Sequence, residues 1–358
     1  MLLKNEGGAL PLATAKLKRL ALIGPHANAS LVFLGGPNYH GDSSLVEQYT
    51  PLLRAQAWLP QAEITYAKGC DVASWDRSGF DHAVAAVAAA DAVLLFLGSD
   101  SSIENEGHDR DTLTLPGLQA DLALKVAAAA AKPVVVVLAN GGPLAIRELK
   151  ESARVGAIVE AFFPGQFAAE AILQLLLGRF SPSGLLPVTV YDADYISRRP
   201  ITNLDMRAAG GVTYRYFDGT PLWPFGFGLS YTNFSFSGDK AATLHTTVAK
   251  AVTTPLCFSV LVTNSGAMAS DVVVLGFVKS GHADAPRNPK LCDFVRESAI
   301  QPGAQREVQL CVGAALPLVD DAGNARVLAG EYSVTVGVEG GVGGAGAGSV
   351  VGTLVVAQ

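Results

Sequence analysis

The pattern of apolar runs changes class once along the chain, and that change constrains the fold more than any other feature. Between residues 20 and 190, short apolar runs at 20–24, 64–67, 92–97, 133–138 and 157–162 are separated by Ala-rich stretches. Phe80, Val84 and Val87 share one helical face, and Ile172, Leu173 and Leu176 mark a second helix that Gly178 closes. Continuous apolar strands alternating with helices read as a layered α/β sandwich with a mostly parallel sheet. Beyond residue 235 the runs at 257–263, 272–278, 307–312, 332–336 and 350–355 are separated by turn residues with no helical stretch between them. That portion reads as a small all-β sandwich. The Gly-rich run at 340–348 reads as a flexible loop joining its last two strands.

A length of 358 residues suits two domains. Although hydrophobic residues make up 49% of the chain, no apolar run reaches the ~20 residues of a spanning helix, so no membrane partner is expected. A net charge of -6 supplies no basic stripe for phosphates, which argues against nucleic acid. The first residues lack a charged stretch followed by an apolar one, so no secretory leader is read and the compartment is left open. Cys70, Cys257, Cys292 and Cys311 lie far apart without metal-ligand spacing, so no metal site is expected. Cys257 and Cys311 sit in strand-like runs and could pair across a sandwich, but free buried thiols are the commoner outcome for such residues.

The stretch richest in chemistry follows the run at 92–97 and carries Glu104, Glu106, Asp109 and Arg110. In an open α/β sheet, loops at the carboxyl ends of strands line the ligand crevice, which places these carboxylates well for acid/base work or sugar binding. Glu104 and Glu106 need not face the same way; one can aim outward as an acid while the other pairs with Arg110. On spacing alone, a solvated charge cluster capping a helix that begins near Leu118 accounts for the same residues. The Gly-bearing loops at Gly24-Pro25 and Asn140-Gly-Gly-Pro143 have neither dinucleotide spacing nor a Walker lysine, so no organic cofactor is expected.

The segment Glu106-Gly-His-Asp109-Arg110-Asp-Thr-Leu113-Thr-Leu115-Pro116-Gly117-Leu-Gln119 resembles the acid/base segment in the C-terminal α/β sandwich of family three glycoside hydrolases, particularly the β-xylosidase branch. Further landmarks resemble the family in order: Leu22-Ile-Gly-Pro-His-Ala-Asn28, Asn38-Tyr39-His40-Gly41, Ala139-Asn-Gly-Gly-Pro143, Phe163-Pro-Gly-Gln166, Pro182-Ser-Gly-Leu-Leu-Pro187 and Pro224-Phe-Gly-Phe-Gly-Leu-Ser-Tyr231. Val262-Thr-Asn-Ser-Gly266, Phe294-Val-Arg296 and Ala329-Gly-Glu-Tyr332 are similar to a fibronectin type III-like domain. The implied division is residues 1–19 as the junction from an N-terminal barrel absent here, 20–190 as the α/β sandwich, 191–235 as an aromatic connecting segment packed on it, and 236–358 as the fibronectin type III-like domain.

The resemblance implies a retaining, exo-acting β-glycosidase of β-xylosidase or β-glucosidase type, in which an aspartate attacks the anomeric carbon and a second carboxylic acid protonates the leaving oxygen. The aspartate belongs to the barrel, and no counterpart occurs in this chain. Glu104 is favoured as the acid/base by its distance from the glycine that ends the preceding strand; Glu106 matches when the count runs backward from Asp109. Asp109 and Arg110 are expected to hold the loop by pairing. Asn38 and Tyr39 are expected to shape the loop near the sugar, and His40 and His26 are weaker candidates for touching it. Trp223 and the aromatics around Phe225 are expected as core between the domains rather than as a sugar platform. The implied partners are an oligosaccharide or aryl or alkyl glycoside and the barrel, in the same chain or a separate one; family members are often secreted or periplasmic. The alternative is a non-catalytic module that binds glycan or a barrel-bearing partner.

Overall fold

The computed structural model describes residues 1–35, 42–46, 49–239, 242–251, 255–320, 322–338 and 349–358. Two units emerge: Met1–Phe180 with Val190–Ile196, and Ser181–Thr189 with Ser197–Gln358.

In the first unit the apolar runs become the strands of one six-stranded sheet: β1 Leu2–Asn5, β2 Arg19–Ile23, β3 Glu63–Ala67, β4 Ala92–Gly98, β5 Val134–Ala139 and β6 Val155–Glu160, in the order β1-β6-β5-β4-β2-β3. Every residue of β5 and β6 is buried, as a strand covered on both faces requires. Strands β2 to β6 run parallel, and β1 pairs antiparallel with β6. Residues 1–19 therefore do more than lead into the domain. Leu2 and Leu3 are buried against the sheet, in a strand too short for periodicity to reveal.

The helices Phe80–Val87, Gln119–Ala129 and Ala168–Leu176 each turn an apolar face to the core. Ile172, Leu173 and Leu176 are buried at the spacing that marked them. A fourth helix, Pro51–Trp58, is announced only by its start: the Thr50 hydroxyl accepts from the Leu53 amide at 3.2 Å, and proline occupies the first turn.

The second unit holds β7 Phe234–Ser237, β8 Thr243–Thr247, β9 Cys257–Asn264, β10 Ser270–Ser280, β11 Lys290–Ile300, β12 Gln305–Cys311, β13 Leu318–Val319, β14 Ala325–Arg326, β15 Gly330–Val336 and β16 Ser349–Ala357. One sheet runs β11-β10-β15-β16-β8 and a second β12-β9-β7. Alternating residues from both, among them Val260, Val262, Leu310, Val334 and Leu354, build one core. The run expected to be a flexible loop at 340–348 lies outside the described residues.

Two expectations change here. Register sets Cys257 directly opposite Cys311 on neighbouring strands β9 and β12, and the two form a disulfide within one sheet instead of remaining free thiols or bridging the two sheets. The segment expected to connect the domains belongs largely to the second unit. Tyr214 stacks on Phe225 at 4.4 Å, and both meet Phe277 of β10 edge-on. The Asn288 amide donates to the carbonyls of Tyr214 and Phe217, and the Tyr214 hydroxyl accepts from the Leu291 amide. These backbone ties fasten the segment to the sandwich. Trp223 is buried there too, as core and not as an exposed platform.

Candidate active site

In the sheet order β3-β2-β4, the chain leaves β2 for a neighbour on one side and returns to the other. Open parallel sheets place ligands at such a reversal, beyond the carboxyl ends of the strands. The loops after β2, β3 and β4 line a cavity of about 720 Å³ there, edged by His26, Lys68, Asp71, Asp100 and Ser102.

Strand β4 ends at Gly98, whose φ of +146° only glycine adopts readily; a Cβ on it would stand 1.8 Å from the Ala139 carbonyl oxygen. The base of the following loop is closed by Gln119, a fully buried side chain that accepts from the Gly98 amide at 2.9 Å and donates to the Gly98 carbonyl at 2.7 Å and the Val72 carbonyl at 2.9 Å. The helix Gln119–Ala129 has no side-chain cap hydrogen bond, so the acidic cluster is not its cap.

Within the loop, the amides of Ile103 and Glu104 both donate to the Asp100 carbonyl, and Asn105 and His108 exchange backbone hydrogen bonds across a tight turn. Gly107 takes φ +86° at the third position of that turn, leaving Glu106 at its tip. The turn sends the two glutamates different ways. Glu106 is exposed, whereas Glu104 folds back over the carboxyl edge of the sheet.

There Glu104 Oε2 lies 2.9 Å from Arg110 Nε and accepts from the Gly142 amide at 3.4 Å. The Arg110 approach is close but off the hydrogen-bond axis, so the pair is held by charge more than by an aligned bond. The guanidinium tips reach the Pro143 carbonyl at 3.4 and 3.5 Å. The glycine pair after β5 makes room for this arrangement: a Cβ on Gly142 would stand 2.5 Å from Arg110 Nη2, and one on Gly141 3.1 Å from Phe163 Cε2. Glu104, Arg110, Gly142 and Phe163 thus meet from three different loops. Of the two residues expected to hold the loop by pairing, Arg110 pairs with Glu104; Asp109 is exposed and forms no ion pair among the described residues.

Asn38, Tyr39 and His40 lie outside the described residues. His26 is not a loop-surface histidine: it is 1% exposed, its Nε2 has no partner among the described residues, and burial pushes its pKa down to about 4 against the opposing pull of Asp100. No group of three or more His, Cys, Asp or Glu side chains gathers as a metal site among the described residues. No helix among them is long and apolar enough to cross a membrane.

Sequence reasoning passed over Asn140, Gly142 and Glu160. The glycine loop stood out only as a landmark of the family resemblance and as a nucleotide cradle that its spacing rules out. Glu160 left a legible sign, a carboxylate inside the apolar run at 157–162, where an ionised group is costly to bury.

Residues 1–231 match the family model described as the glycosyl hydrolase family 3 C-terminal domain. The chain is 35% identical to Beta-D-xylosidase 1 of Arabidopsis thaliana over 94% of its own length and 47% of that protein's. Among solved structures, it superposes with a TM-score of 0.88 on an exo-β-xylosidase of this family bound to a xylobiose aziridine probe, at 30% identity, covering 100% of this chain and 47% of the other. A β-glucosidase from Listeria innocua, solved with isofagomine, gives a TM-score of 0.80 at 26% identity, covering 100% of this chain and 48% of the other. The chain spans about half the length of the curated relatives it matches. It is therefore a member of glycosyl hydrolase family 3, corresponding to the C-terminal α/β portion followed by a β-sandwich.

Proposed function

We propose that this chain supplies the general acid/base of a retaining, exo-acting β-glycosidase, and that Glu104 is the group. The observation that carries the reading is the setting of Glu104: 34% exposed, at the carboxyl edge of the parallel sheet, with one oxygen held between Arg110 and the Gly142 amide. A catalytic carboxylate has to be accessible on one side and fixed on the other. In the first step the protonated carboxyl gives its proton to the glycosidic oxygen while an aspartate attacks the anomeric carbon. In the second, the carboxylate takes a proton from water as the glycosyl ester is hydrolysed.

In a retaining pair the nucleophilic carboxylate has to come within about 5 Å of this group. The aspartate would come from a barrel domain outside this chain, in the same polypeptide or a partner. The substrate would be a non-reducing terminal β-xylosyl or β-glucosyl unit, a class supported by the xylosidase and glucosidase relatives. Asn38, Tyr39 and His40 are proposed to shape the approach to the sugar.

A second reading assigns the proton to Glu106, and its support is the turn that leaves Glu106 at the tip, free of Arg110. The two are separated by Glu104→Gln and Glu106→Gln in the chain joined to a family barrel. Loss of aryl β-xyloside turnover in Glu104→Gln, restored by azide as the β-glycosyl azide, is the expected result, because azide attacks the intermediate without base assistance. The same pattern in Glu106→Gln, with Glu104→Gln active, would transfer the role.

A further inference from the structure

Glu160 is a carboxylate 3% exposed at the end of an all-apolar strand, and nothing in the reaction as described uses it. Burying such a group is costly unless it is hydrogen-bonded, and its bonds run toward the site. Its Oε1 accepts from the Phe162 amide at 2.8 Å, and Phe162 holds a left-handed φ of +52° there. Its Oε2 accepts from the Asn140 side-chain amide at 3.4 Å. Asn140, fully buried, donates from the same nitrogen to the Gly142 carbonyl at 3.0 Å, closing the turn after β5. On the other side of that turn, the Gly142 amide points to Glu104 Oε2. A continuous path of buried and part-buried hydrogen bonds therefore joins the end of β6 to the candidate acid.

We propose that Glu160 and Asn140 are positioning residues for the acid/base carboxylate: Glu160 orients the Asn140 amide, Asn140 fixes the turn at residues 140–143, and the turn presents the Gly142 N–H to Glu104. The proposal rests on Glu104 being the acid/base. Neither residue touches substrate. Their influence is on where the proton sits relative to the leaving oxygen, so it scales with how much protonation the leaving group needs. A loss of folded protein alone would lower turnover of every substrate by the same factor.

The test measures kcat/KM, which reports the glycosylation step, for phenyl and 2,4-dinitrophenyl β-xyloside with the chain joined to a family barrel. Asn140→Ala and the more conservative Glu160→Gln are compared with the parent and with Glu104→Gln. The expected result is a loss of tenfold or more on the phenyl substrate, which needs its leaving oxygen protonated, against less than threefold on the dinitrophenyl one, in the same direction as Glu104→Gln. Equal losses on both substrates, or no loss, in both positioning variants while Glu104→Gln shows the selective loss would overturn the positioning role alone. Should Glu104→Gln show no selectivity, the acid/base assignment falls, and the positioning role with it.

Discussion

Glu104 Oε2 stands 2.9 Å from Arg110 Nε, and the two partners differ in exposure, 34% for the carboxylate and 10% for the guanidinium. The cation is the anchored member and the carboxylate the one that reaches solvent. With the carboxylate open to solvent, the charge pairing itself contributes on the order of 1 kcal/mol or less to stability, so a change that removes the charge and keeps most of the side-chain volume separates function from folding. Arg110→Gln is expected to leave the urea midpoint of the chain nearly unchanged while lowering turnover of the barrel-joined enzyme at least tenfold. Comparable losses in both measurements would make the pair structural.

The glycine loop gives a sharper contrast between two substitutions of the same chemistry. In Gly142→Ala the added methyl meets the far end of the Arg110 side chain, which can swing away, so stability is expected to fall by less than about 1 kcal/mol while activity is lost with the displaced Arg110. In Gly98→Ala the methyl meets the Ala139 carbonyl oxygen at 1.8 Å, where only backbone can move. That variant is expected to lose several kcal/mol, on the order of 3 or more, and to accumulate as insoluble protein. Equal behaviour of the two variants in thermal unfolding would contradict the geometry.

His26 and Glu160 give opposing pH dependences. Burial holds His26 down to about 4, from an ordinary 6.5. Below pH 6.5 the unfolded chain therefore takes up a proton that the folded chain refuses, and stability falls as pH falls toward 4. Burial raises Glu160 from 4.5 to about 7. Above pH 4.5 the unfolded chain releases a proton that the folded chain keeps, so this stabilisation is complete below 4.5 and is lost as pH rises through 7. The two groups therefore act in opposite directions between pH 4.5 and 6.5. Urea titrations at pH 4.5, 5.5 and 6.5 are expected to show His26→Asn losing stability as pH rises and Glu160→Gln losing it as pH falls, with the parent between them. Parallel profiles for all three would contradict both assignments.

Cys257 and Cys311 are 54 residues apart in sequence, so their disulfide closes a long loop in the unfolded chain. Chain-entropy arguments put its contribution at about 4 kcal/mol. The Cys257→Ser/Cys311→Ser double variant is expected to unfold at clearly lower urea concentration in its second unit, with the first unit unaffected. An unchanged midpoint under oxidising conditions would show that the bond does not form in solution.

The change from a helix-interleaved pattern to strands alone was legible because burial on both faces of a parallel sheet and alternate burial in a sandwich leave different periods in sequence. Val134 to Ala139 and Cys257 to Asn264 show the two kinds side by side. Strand β1 was not legible, since four residues hold too few side chains to show a period. The loop of Glu104 was found through its position after a strand and its resemblance to a family. Its internal geometry was not, because a turn at Glu106-Gly107 decides which glutamate faces inward, and neighbouring carboxylates look alike in a sequence. Asn140 and Glu160 escaped for a related reason: they meet the site through hydrogen bonds between strand ends twenty residues apart.

We propose that this chain holds one carboxylate of a catalytic pair. The most direct test is the rate of 4-nitrophenyl β-xyloside and β-glucoside hydrolysis by the purified chain alone and by the chain joined to a family barrel bearing its aspartate. If one carboxylate of the pair lies here, the chain alone gives no turnover above buffer, and the joined enzyme gives turnover that Glu104→Gln abolishes. Hydrolysis by the chain alone, or a joined enzyme indifferent to Glu104→Gln, would contradict it.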